Sequence, residues 1–395
     1  MPVAASTAVT FDDIAPETPL GERAAQVDTL TGLRGFAALM VVIVHSSGRS
    51  DFPGFGVQGY GPVSLFVLSG FLLFRPWSRW SLDSGRRPIL RVFARRRLAR
   101  IFPAYLVVLL AVAVMLPESQ PRGLDGWLRA LTLTNTLASD GLRPGLEQTW
   151  SLGTELSWYL LVPVFGLVVG LVARRMAGSR GFWAGVVLMG VSLPISAAWR
   201  WWVHVEDLGR EFTYSFWVPG FLVCFAGGAL VAHLLEGERA GQVRLGRLRA
   251  WARDPWLLTA FAVAVTLIGA SSLGGPTLYV PSTFTERQVR FACATLLALI
   301  LLVAATLGDR ESPVVRFLAT RWMVATGRWS YGIYLWHLPV IVLLENDFTH
   351  RTGTAGLALW LGCILAVSVP LGAATYAWVE APAISWSKRL PGTRS

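Results

Sequence analysis

The sequence predicts an all-α, polytopic integral membrane protein with about ten transmembrane helices, and three observations carry that expectation. Apolar residues make up 53% of the 395 residues and charged residues only 15%, with a mean hydropathy of +0.51; a soluble domain carries about a quarter charged residues. Apolar runs of the length a bilayer requires recur along the whole chain. The 35 basic residues, against 24 acidic ones, fall between those runs and form no separate basic domain. They read as topology signals and exclude a nucleic-acid partner. Lysine occurs once, at Lys388, a bias that suggests a GC-rich genome and fits a multi-pass protein of a bacterial cytoplasmic membrane.

Residues 1–26 are polar, with no basic stretch ahead of an apolar core, so they predict a flexible cytoplasmic tail and not a cleaved signal peptide. The transmembrane domain follows over 27–382, and 383–395 form a short basic cytoplasmic tail. The spans fall at 30–48, 58–77, 101–117, 150–173, 181–203, 214–235, 255–273, 288–307, 330–347 and 357–378. The longest connection, 118–149, holds the amphipathic piece Leu124 to Leu137, too polar to cross and suited to lying at the interface or re-entering. Basic residues after even-numbered spans and in the C-terminal tail number 23, against seven after odd spans, which predicts that both termini are cytoplasmic. Cys224, Cys293 and Cys363 lie in apolar stretches without metal-ligand spacing, so neither a disulfide framework nor a metal site is expected.

The first span, LTGLRGFAALMVVIVHSS from Leu30 to Ser47, carries two ionisable groups. Arg34 and His45 are eleven positions apart, which is about 16 Å along one helix axis. Ionisable groups inside a span mark function by default, although a histidine near a span end also serves as a helix–helix contact. Glu155, in TWSLGTELSWYLLVP, enters from the outside and is expected at the depth of His45, where its carboxylate would accept the Nδ1 proton and leave Nε2 free as a base. Its plainer reading is an acid favoured in a helix's first turn. In RRRLARIFPAY, Arg97 and Arg100 stand one turn apart at the cytoplasmic entrance of the third span, placed to grip a phosphate-rich cosubstrate. Ser69 and Gly70 permit close helix approach in GPVSLFVLSGFLLF, with direct chemistry for Ser69 the lesser reading. His337 precedes Pro339, whose ring frees backbone carbonyls that polar neighbours must satisfy; a structural and a substrate-lining role are both open for the histidine. Glu380 falls at the cytoplasmic end of the last span, at the depth of Arg97 and Arg100, where an ion pair or a lining role is expected.

Taken in order, these stretches resemble the acyltransferase 3 family of polytopic membrane O-acyltransferases. The matching features are the Arg34 to His45 spacing, SGFLL at Ser69 to Leu73, Arg97 and Arg100 followed by Ile101 to Tyr105, TWSLGTE ending at Glu155, YLWHLP at Tyr334 to Pro339, and Glu380 to Pro382. The likeness runs from about Leu30 to Pro382, nearly the whole chain. It implies transfer of an acyl group, commonly acetyl, from cytoplasmic acyl-coenzyme A to a hydroxyl of a sugar, glycolipid, polysaccharide unit or secondary metabolite, with no metal. It maps the essential residues onto Arg34, His45, Arg97 and Arg100. Leu73 stands where many members have isoleucine, a trivial departure. The chain stops soon after the tenth span, so by the resemblance the membrane core alone is expected to complete transfer, without an appended hydrolase-like domain. From a different class, a transporter of a lipid-linked or small polar solute would also line a pathway with Arg34, His45 and Glu155. No inverted duplication of broken spans supports that alternative.

Overall fold

Apolar runs become helices in a bilayer because every backbone N–H and C=O must find its partner within the chain. The computed structural model describes residues 20–50, 52, 59–138, 141–176, 178–208, 213–277, 281–345 and 352–389. Among these, helix is the sole regular structure. The helices are α1 (Leu20–Arg49), α2 (Tyr60–Ser81), α3 (Leu90–Met115), α4 (Gly123–Thr132), α5 (Thr149–Met176), α6 (Gly178–Gly190), α7 (Ser192–Val205) and α8 (Val218–Arg239). They continue with α9 (Gly246–Arg253), α10 (Leu257–Ala270), α11 (Phe284–Leu307), α12 (Pro313–Leu318), α13 (Arg321–Glu345), α14 (Gly353–Thr375) and α15 (Ala381–Arg389).

Among the described residues, seven helical stretches are long and apolar enough to cross a membrane, and eight if α9 and α10, bent by 79° at their junction, count as one. Among them, α6 with α7 makes one stretch of 28 residues and α14 with α15 one of 37. The two remaining segments expected to span fall on α2 and α13, whose 22 and 25 residues suffice in length but are too polar to count with the others. These two are the inner helices of the bundle. The outside is apolar, with Val114 80%, Leu160 73% and Trp378 79% exposed, while Arg75, Glu236 and His337 are buried. That inversion of the soluble pattern is what lipid requires. The protein is an all-α polytopic integral membrane protein.

Two boundaries differ from expectation. Helix α1 starts at Leu20, so 20–26 are helical and not part of a flexible tail, and 1–19 lie outside the described residues. At the other end α15 carries helix to Arg389, so 383–389 are helical too, and 390–395 lie outside the described residues.

Glycines set the pairings. A Cβ on Gly327 would stand 1.9 Å from the Thr31 carbonyl oxygen, and one on Gly32 would stand 1.8 Å from that of Leu318. Backbones can approach so closely only where the side chain is missing. The partners Thr31–Gly327, Arg34–Ser330 and Arg49–Glu345 rise together along both chains, so α1 and α13 run parallel. Gly70 and Gly228 do the same for α2 and α8, meeting the carbonyls of Phe225 and Val67, and these two helices are parallel as well, since Phe66 packs on Phe221 and Arg75 reaches Glu236. At the far end of that pair, Glu236 receives Arg75 at 2.5 Å, Arg239 at 2.7 Å and Arg79 at 3.3 Å.

Pro339 explains how α5 is seated. Its ring lacks the N–H that would pair with the carbonyl four residues earlier, at Leu335. Gln148 Nε2 donates to that carbonyl at 2.8 Å, and Tyr334 O–H donates back to the Gln148 carbonyl at 2.5 Å. The expectation that polar neighbours satisfy carbonyls freed by Pro339 is met here. The consequence is positional: α5 begins against the middle of α13, not at its Glu345 end.

Candidate active site

Two chambers follow from that seating. The inner one is a narrow cavity of about 60 Å³ where α1, α2, α3, α5 and α13 converge. Arg34, Arg97 and Arg100 line it together with Glu155 and Ser69. Three guanidiniums against one carboxylate give its lining an excess of positive charge, and Arg97 and Arg100 share one face of α3 because they are three positions apart. Arg34 is held by Ser330, whose Oγ accepts from Nε at 3.4 Å and from Nη2 at 3.3 Å. Glu155 Oε1 accepts two hydroxyls, Ser69 at 2.5 Å and Tyr159 at 2.7 Å. Ser151 donates to the Tyr334 oxygen at 2.7 Å, since the Tyr334 proton is committed to Gln148.

The outer chamber, of about 720 Å³, is lined by His45, Arg49, Glu147, Trp150, Arg200 and Arg290 among others. Its walls are aromatic: Trp150 stacks on Phe216 with centroids 4.4 Å apart, and the Arg200 guanidinium lies 3.8 Å over the Phe291 ring. Arg200 Nε also donates to Gln288 Oε1 at 2.7 Å, so the cation is aimed and not free to swing. Burial pushes the Glu147 carboxyl up from the usual carboxylate range, opposed by backbone N–H groups and by the Arg49 charge.

His45 lies on the wall of the outer chamber, and its Nδ1 is 2.9 Å from the Val41 carbonyl. A carbonyl oxygen only accepts, so Nδ1 carries the proton and Nε2 keeps its lone pair. The orienting partner is therefore the backbone and not Glu155, which corrects the pairing expected from sequence. The reason is depth: α5 starts mid-bundle, so Glu155, six residues in, reaches the level of Arg34 instead of His45.

His337 stands behind His45 with ring centroids 5.1 Å apart and its own Nδ1 2.6 Å from the Tyr334 carbonyl. It is fully buried, and Glu380 is 4% exposed. Neither lines either chamber, which departs from the lining position expected of them, whereas Ser69 lies on the wall of the inner one. Glu380 sits on a π-helical turn, Tyr376–Glu380, and is buried on the side of the Arg100 charge. The sequence reading passed over Tyr159, although its i+4 spacing from Glu155 was a usable signal. Gln148 and Ser330 had no local signal, because their roles exist only across helices.

Residues 27–377 match the family described as "Acyltransferase domain". The chain belongs to the acyltransferase 3 family. As an acyltransferase 3 protein it is a membrane acyltransferase that transfers groups other than aminoacyl groups. It is 27% identical to Acyltransferase MdmB of Streptomyces mycarofaciens over 94% of both chains. It is 26% identical to BcsY of Komagataeibacter xylinus over 92% of this chain and 84% of that one. With O-acetyltransferase OatA of Staphylococcus aureus the identity is 23% over 89% of this chain and 56% of the relative, so the acyltransferase 3 core here spans about half of that protein. No solved structure matches.

Proposed function

We propose that the two chambers are the donor and acceptor ends of one O-acyl-transfer path. The observation that carries this reading is the division of labour along α1: Arg34 in a cavity of three guanidiniums, and His45, with a bare Nε2, eleven residues further on. Acyl-coenzyme A, with acetyl as the acyl group, is the donor. Its phosphates rest on Arg97 and Arg100, and its pantetheine arm passes Arg34 toward His45. The narrowness of the inner cavity means that the Ser69–Glu155–Tyr159 contacts part to admit the arm.

The acceptor is a hydroxyl of a sugar, glycolipid, polysaccharide unit or secondary metabolite, held in the outer chamber. His45 Nε2 takes the hydroxyl proton as the oxygen attacks the thioester carbonyl. The C–S bond then breaks, and the thiolate recovers the proton to leave as free coenzyme A. Glu155 acts at the donor end, holding the Ser69 and Tyr159 hydroxyls beside the arginines. The O-acetyltransferase name of OatA supports acetyl transfer to a hydroxyl.

The same proposal places the chain in a bacterial cytoplasmic membrane with ten crossings and both termini inside. The parallel runs of α1 with α13 and of α2 with α8 support it, because parallel spans need an odd number of spans between them and the ten-span order supplies that.

Binding and turnover of acetyl-coenzyme A by detergent-purified protein test the reading. The native chain is expected to bind it, Arg97→Ala with Arg100→Ala to lose binding, and His45→Ala to bind without turnover. A native protein that binds no acyl-coenzyme A, or a well-expressed His45→Ala that keeps most of its transfer activity, refutes it. A transporter would release no coenzyme A thiol in the presence of its solute.

A further inference from the structure

A third cavity, of about 690 Å³, lies outside both chambers, among the ends of α1, α8, α11 and α12 and the short helix α9. Arg239, Arg249, Arg253 and Arg310 line it, with Asp309 as the acid on its wall. Arg249 is held by Glu238, with Nη2–Oε2 at 2.5 Å, and Arg239 by Glu236, which already serves Arg75 and Arg79. Four guanidiniums thus line the groove with one carboxylate on its wall, and Glu236 and Glu238 stand behind two of them. The Asp309 carboxylate is also engaged, accepting the Glu311 N–H at 2.8 Å.

The rest of the groove is apolar. Leu235, Leu307 and Val315 form its buried floor. On the outer side of α9, Trp251 and, just beyond that helix, Trp256 are 60% and 69% exposed, the placement of side chains at a bilayer–water boundary. The 79° turn into α10 makes α9 lie along that boundary if α10 crosses it. Cationic wall, apolar floor and interfacial depth coincide in one groove.

We propose that this groove binds the phosphate headgroup of an anionic phospholipid, with the guanidiniums on the phosphodiester and the glycerol end over the apolar floor. Basic pockets between helix ends on the cytoplasmic side recognise such headgroups. All four guanidiniums line the site, and Arg239 and Arg249, held by their glutamates, set its back. The site is independent of the donor arginines Arg97 and Arg100, which line a different cavity. It ties α9 to the ends of α1 and α11, so its occupant stabilises the packed bundle.

The test uses the detergent-purified full chain and its thermal unfolding midpoint, titrated with phosphatidylglycerol, phosphatidylcholine, inorganic phosphate or acetyl-coenzyme A. Phosphatidylglycerol is expected to raise the midpoint saturably and phosphatidylcholine at the same mole fraction to leave it nearly unchanged. Arg253→Gln with Arg310→Gln should at least halve the phosphatidylglycerol response, while Arg253→Lys with Arg310→Lys retains most of it. Both Gln variants should still bind acetyl-coenzyme A. Equal responses to the two lipids, or a Gln pair that responds like the native chain, overturn the proposal. So does a saturable response to inorganic phosphate that the Gln pair loses, which would make this a site for a soluble phosphate. Both positions are exposed; if the Gln pair nonetheless fails to fold, Arg253→Gln alone carries the same comparison.

Discussion

Replacing Gln148 by leucine keeps the bulk of the side chain and removes a single donor. The acceptor it abandons is the Leu335 carbonyl, which Pro339 has already deprived of its helical partner. That carbonyl lies inside the bundle where no water replaces the amide, so the loss should be about 1–3 kcal/mol, the penalty for a buried acceptor left unmade. The weaker bond from Gln148 Nε2 to the Gly145 carbonyl, at 3.2 Å, goes with it and keeps the expectation in the upper part of that range. Pro339→Ala restores an N–H at the right position for Leu335. In that background Gln148→Leu should cost ~1 kcal/mol or less, leaving a coupling energy of about 1–2 kcal/mol between the two sites. Unfolding in mixed micelles by titration with a denaturing detergent, followed by circular dichroism, reads all four corners of the cycle. Equal costs of Gln148→Leu in the two backgrounds would show that Gln148 does not serve the freed carbonyl, and the account of how α5 is seated would fail with it.

Two further outcomes follow from the buried charges. Glu236→Gln strips the counter-charge from Arg75, which is 2% exposed, and should destabilise by about 3–5 kcal/mol in the same unfolding assay, as breaking a buried pair does; a cost below ~1 kcal/mol, the range of surface pairs, would contradict the burial. Glu147 has a raised pKa in the folded protein, so its folded form binds more protons than the unfolded chain, and the stability it contributes is present at low pH and lost as pH rises through that pKa. Glu147→Gln should therefore match the native midpoint below the ordinary carboxylate range, near pH ~4, and exceed it increasingly toward neutral and alkaline pH; a gain that appears at low pH and vanishes at high pH would reverse the sign and refute the assignment.

The helices were legible because lipid leaves the backbone no alternative, and the apolar runs that report them are local properties of the chain. Arg34 and His45 were legible for the same reason, since both lie on one helix whose rise is fixed. Glu155 was read to the wrong depth because its depth is not local. A span boundary counted from hydropathy assumes that a helix begins at the membrane surface, whereas α5 begins where Gln148 finds the carbonyl that Pro339 frees, 187 residues away in sequence. One proline on α13 thus decides which chamber receives the carboxylate of α5. With Glu155 lowered to the level of the arginines, the Val41 carbonyl is the hydrogen-bond partner of His45 among the described residues, and that bond fixes which ring nitrogen of the neutral imidazole stays free. An imidazole oriented by its own helix needs no carboxylate at its level, and under the proposed function the 720 Å³ chamber beside it is the space in which an acceptor hydroxyl would meet Nε2.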